Sequence, residues 1–178
     1  MDQIAAELAI SKRTIYELFK DKNDLVYQCI ENMGRSNYNE LHEIIARADN
    51  VIEALYLIGQ HREKKRAGIN HLFFDDVEKS FPNLRKLFVK GLGPGQKPVT
   101  YTILKRGIKE GIFRKELNID IVDVFIHEMM RICHSSDIFP KDSPTNEILW
   151  NIVIPYFRGI STEKGKELIE KHFPLEHI

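Results

Sequence analysis

Two short helical periods that meet inside residues 2–20 constrain this chain more than any other feature. Ile4, Ala5 and Leu8 fall at helical spacing, which leaves Asp2, Gln3 and Glu7 for water. Ile15, Leu18 and Phe19 repeat that spacing and turn Lys12, Arg13, Thr14, Tyr16, Glu17 and Lys20 outward. Between them Leu8-Ala9-Ile10 breaks the period, and Ser11 is placed to cap the second helix. The pattern predicts a helix-turn-helix, with small Ala5 where the helices cross and Ile10 as an apolar plug at the joint.

The groups projecting from the second helix are chemically of one kind. Ser11, Lys12, Arg13, Thr14 and Tyr16 offer hydroxyls, cations and a phenol, which suit phosphate oxygens and base edges in a major groove. The run from Ile4 to Leu25, with Tyr16, Phe19, Lys22 and Leu25 following the turn at this spacing, resembles the DNA-binding signature of TetR-type transcriptional regulators. A helical hairpin that merely packs is the plainer reading of the same residues.

The resemblance implies that Ser11, Lys12, Arg13, Thr14, Tyr16 and Lys22 meet duplex DNA, with Tyr16 and Lys22 on the backbone. It departs from the family in two places. Ala9 stands where the family usually has glycine, so mild strain is expected in the turn. The family also places a whole helix before this pair, whereas this chain opens at Met1 directly on it. Either the true start lies upstream or the helix is lost, and in the second case Ile4, Leu8 and Phe19 lack part of their cover.

Charge gives no independent support. Lys plus Arg and Asp plus Glu both number 26, and 178 residues suit one medium domain or two small ones sharing a core. Over residues 1–35, Lys12, Arg13, Lys20, Lys22 and Arg35 oppose Asp2, Glu7, Glu17, Asp21, Asp24 and Glu31, five against six or minus one. Cys29 and Cys133 do not make a disulfide framework, and no signal peptide or membrane-length apolar run is visible. A soluble cytoplasmic protein with no membrane association is expected.

The rest of the chain reads as helices. Asp21-Lys22-Asn23-Asp24 predicts a cap and a long helix to about Ala48, loosened at Gly34, and Asn50 predicts the cap of the next, through Ile58. Its end, His61 to Arg66, is read as a solvated cationic terminus rather than a nucleic-acid patch. Helices follow over Ile69–Phe81, Asn83–Leu92, Val99–Gly111, Asp120–Ser135, Pro144–Ile160 and Thr162–His172, with Gly111 a stop and Pro155 a kink. The Gly91–Pro98 loop lacks the Gly-Lys-Ser/Thr of a phosphate cradle.

The two broad helices, Asp120–Ser135 and Pro144–Ile160, are apolar over so wide an arc that each needs cover on two sides. A second copy is the expected cover, through Ile121, Phe125, Met129, Ile132, Leu149, Ile152, Val153 and Tyr156, and the resemblance implies the same homodimer. It also implies a buried effector site among Phe73, Phe74, Phe88, Tyr101, Phe125 and His127, although aromatics at this spacing also read as plain core.

No chemistry emerges elsewhere. His127 and His134 are two turns apart, about 10.5 Å along a helix, too far for one metal ion. No nucleophile elbow is present, and Asp75 and Asp76 face different ways. The expected fold is all-α: a helix-turn-helix over residues 1–30, then a helical ligand-binding and dimerisation bundle over 31–178. The expected function is a dimeric regulator, a repressor released by a small-molecule effector, without catalysis, cofactor or metal. A dimeric small-molecule-binding protein that no longer binds DNA is the alternative, and a helical enzyme is disfavoured.

Overall fold

The computed structural model describes residues 1–67, 97–133, 138–139 and 145–174. The elements are α1 (Asp2–Glu7), α2 (Lys12–Leu18), α3 (Lys22–Arg47), α4 (Val51–Ala67), α5 (Val99–Lys109), α6 (Ile119–Cys133) and α7 (Thr145–Ile148). A π-helical turn (Leu149–Val153), α8 (Ile154–Ile160) and α9 (Glu163–His172) complete them. The protein is all-helical: among the described residues there is no strand, only an isolated antiparallel bridge between Phe113 and Ser161. Contacts divide the described residues into two compact units, 1–40 and those from 41 onward, so α3 begins in the first and ends in the second.

In the first unit Ala5, Ile15 and Ile30 are buried. The start of α3 is fixed by reciprocal carboxylates. Asp21 Oδ1 accepts from the Asp24 N–H at 2.9 Å, and Asp24 Oδ2 accepts from the Lys20 N–H at 2.9 Å, which satisfies donors that a helix start leaves open. Gly34 does not interrupt α3.

The second unit has one core. Leu41, Ile44 and Ile45 of α3 meet Val51, Ile52 and Ile58 of α4, Ile103 and Leu104 of α5, Ile126 and Met129 of α6, Phe157 of α8 and Ile169 of α9. As Asn50 suggested, its side chain accepts from the N–H groups of Ile52 and Glu53, both at 3.0 Å, and starts α4.

A polar clasp ties α5 to the α3–α4 joint. The Arg106 guanidinium donates to the carbonyls of Ile45 and Ala48, the latter at 2.7 Å, and to Glu110 Oε1 at 2.5 Å. The other Glu110 oxygen accepts from the Val51 N–H at 3.1 Å. Carbonyls at the end of one helix and a donor at the start of the next are thereby both satisfied from α5.

After α5 the chain reverses at Gly111, whose φ of +68° favours glycine. Ile112 N–H returns to Gly107 O at 2.8 Å and Gly111 N–H to Ile108 O at 3.1 Å, a Schellman closure. The turn is held by the start of α9. Thr162 N–H donates to Ile112 O at 2.9 Å, its hydroxyl donates to Gly111 O at 2.7 Å, and that hydroxyl accepts from Gly165 N–H at 3.3 Å.

Pro155 acts on the helix in a particular way. It has no N–H for the Asn151 carbonyl, and the ladder upstream widens to i→i+5, with Ile154 N–H donating to Leu149 O. At the position of the kink expected from Pro155 the helix has a π-helical turn that directly precedes α8.

Candidate nucleic-acid interface

α1 ends at Leu8, where the backbone turns. Leu8 N–H donates to Ile4 O at 3.0 Å and Ala9 N–H to Ala6 O at 3.2 Å. Ile10 N–H then reaches back to Ala5 O at 3.0 Å. Ala9 takes the expected left-handed conformation, φ +51°, the one described non-glycine residue with positive φ. Ser11 Oγ accepts from Thr14 N–H at 3.0 Å and lies 2.9 Å from Thr14 Oγ1, so α2 starts on a built cap. Ile15, 2% exposed, anchors the far side of α2.

Ser11, Lys12, Arg13, Thr14, Tyr16 and Lys22 are all exposed. Two of the cations carry intramolecular partners: Lys12 pairs with Asp2, and Arg13 Nε donates to Glu17 Oε1 at 2.9 Å. Exposed pairs of this kind stabilise by under about 1 kcal/mol, so a phosphate can displace either carboxylate. Lys22 has no ion-pair partner among the described residues. Gln28 first, and then the Lys20 N–H, hold the Asp24 carboxyl below its ordinary range.

The apolar side of this pair is less covered than its periodicity suggested. Leu8 is 62% exposed, Leu18 67% and Ile10 38%, so Ile10 is no buried plug and Leu18 does not face inward. Six- and seven-residue helices present few positions to each other, and Ala5 and Ile15 occupy the shared contact.

The residues expected at an effector site are not all brought together. Phe73, Phe74 and Phe88 lie outside the described residues, as do His134, Asp75 and Asp76. Tyr101 has the Lys97 ammonium 4.6 Å above its ring. His127 lies beside Thr100 and Asp123. Phe125, two positions from His127, is on another side of α6, half-exposed and against Tyr156 at 4.9 Å between ring centroids. A shallow hollow of about 130 Å³ lies elsewhere, lined by Phe139, Glu147, Ile148, Asn151 and Ile152.

Of the residues expected to face a second copy, Ile121 is 67% exposed and Phe125 50%, with Ile132, Leu149, Ile152 and Tyr156 partly covered. Met129 and Val153 belong instead to the subunit's own core. Val124, 64% exposed beside Phe125, adds to this outer face.

Among the described residues no helix is long and apolar enough to cross a membrane, and no cluster of three or more His, Cys, Asp or Glu is placed to hold a metal ion. The chain matches no protein-family model, no curated protein and no solved structure.

Proposed function

We propose that this chain is a DNA-binding transcriptional regulator of the TetR type, acting as a homodimer and released from its operator by a small-molecule effector. The observation that carries the reading is α2: a capped helix start, anchored by buried Ile15, whose exposed positions include Lys12, Arg13, Thr14 and Tyr16. Those four side chains offer donors to base edges and nearby phosphates, while Lys22 at the start of α3 neutralises backbone.

The outer face of α6 supports the second half of the reading. Ile121, Val124 and Phe125 form an apolar surface that a second copy would cover, and a dimer carries two reading helices. An effector that binds the DNA-incompetent pose more tightly would then release the operator by population shift.

Selection from a randomised duplex pool tests the proposal. The expected product is a two-fold symmetric site whose half-sites lie about 34–36 Å apart or somewhat more, lost with Tyr16→Ala. Recovery of no sequence, together with a monomeric mass, would reject it. A dimeric binding protein without operator affinity is the second reading, favoured by the exposure of Leu8 and Leu18 in the α1–α2 pair. In that case the mass is dimeric and no duplex is retained.

A further inference from the structure

Asp123 stands in the second turn of α6 with Ile126, Met129 and Cys133, all core residues, following it, and is itself only 8% exposed. A carboxylate so placed requires donors or a cation. It has Thr100, whose hydroxyl donates to Oδ1, and His127, whose Nε2 lies 3.7 Å from the same oxygen. No lysine or arginine is within ion-pair distance of Asp123 among the described residues, and its second oxygen accepts no hydrogen bond there.

The protons of the cluster can be counted. Thr100 has a single O–H, and the carboxylate takes it. The Thr100 oxygen, 3.0 Å from His127 Nε2, must then accept, so Nε2 carries the ring proton. Nδ1 is left as an acceptor with no donor among the described residues, on a side chain that is 40% exposed, while the Asp123 side chain retains 12% exposure.

We propose that Thr100, Asp123 and His127 form a binding site for a small organic cation of the ammonium or amidinium class. Its N–H groups donate to the carboxylate oxygen left open among the described residues and to Nδ1, and its charge compensates a carboxylate that has no lysine or arginine beside it among those residues. An anionic ligand meets the Asp123 charge, and a purely apolar one leaves it uncompensated. This names the chemistry of the effector invoked above and rests on that reading of the helical body.

The experiment uses the whole chain, without DNA, and methylammonium chloride as probe against sodium chloride at equal ionic strength. Methylammonium is expected to raise the thermal midpoint saturably and to move the His127 ring ¹⁵N resonances, which should show the Nε2–H form before addition. Asp123→Asn and Thr100→Val should weaken the response at least tenfold, and Glu128→Gln, an exposed acid paired with Arg131, should retain it. Equal shifts with sodium, or an unchanged response in Asp123→Asn, would overturn the site. If Asp123→Asn does not fold, the His127 resonances decide in the wild type, and their failure to move overturns it. Because no duplex is present, failure here is distinguishable from failure of operator binding.

Discussion

Replacing Gly165 by alanine sets two known effects against each other. In a helix interior the change should stabilise by about 1 kcal/mol, because glycine is the poorer helix former. At this position the new Cβ would fall 2.3 Å from the Ile112 carbonyl oxygen and 2.9 Å from Ser161 Cβ. Neither neighbour can move cheaply. The Ile112 carbonyl accepts from Thr162 N–H, and Ile112 N–H is fixed to Gly107 O. Overpacking against a fixed backbone costs about 1–3 kcal/mol, and losing the Thr162 bond adds about 1 kcal/mol. The net loss is then about 1–3 kcal/mol, a fall in midpoint of several degrees at about 2–4 °C per kcal/mol.

Gly34→Ala and Gly159→Ala provide the contrast, since a Cβ at either position meets nothing within 4 Å. Each should stabilise by about 0.5–1 kcal/mol. Far-UV circular dichroism during heating and urea titration reads all three. Gly165→Ala as stable as wild type, or destabilised no more than the two controls, would refute the close approach of α9 to the turn.

Arg106→Met should remove the donors that serve the Ile45 and Ala48 carbonyls and cost roughly 2–3 kcal/mol in urea unfolding; an unchanged midpoint would show the clasp to be idle. Burial pushes the Cys133 thiol up, lowering its thiolate fraction, whereas Cys29 is exposed. A thiol reagent should therefore modify Cys29 alone in the native chain, and mass spectrometry showing both labelled at equal rates would contradict it. The lowered Asp24 carboxyl should stabilise the start of α3 above its ordinary value near 3.8 and cease to do so as pH falls through the folded value. A lower protection factor of the Lys20 amide, corrected for intrinsic exchange, is the expected sign at acid pH, and Asp24→Asn should abolish that change in protection.

Local features were legible in the sequence because their causes are local. Ser11 and Asn50 cap their helices within three residues, Ala9 takes positive φ at the break in period, and Gly111 ends α5 where the helical pattern stops. What the sequence did not disclose depends on partners far along the chain. Arg106 finds carbonyls at and just beyond the end of α3, and Thr100 finds Asp123 on α6, neither marked by any spacing rule. The breadth of the apolar arc on α6 hid which side was which: Met129 went inward while Val124 stayed out. A charged Asp123 four residues before His127 on an otherwise apolar side was the available signal for the polar cluster. Leu8 and Leu18 had the right period but too little helix opposite them to be buried.

The salt dependence of duplex binding by the whole chain and by Lys22→Ala tests the central claim most directly. If α2 and the start of α3 grip the phosphate backbone, log affinity falls linearly with log salt for the wild type. The slope then drops by about one unit in Lys22→Ala, which also binds more weakly to every duplex. Identical slopes and affinities for the two proteins, or no retention of duplex at low salt by either, would contradict the account.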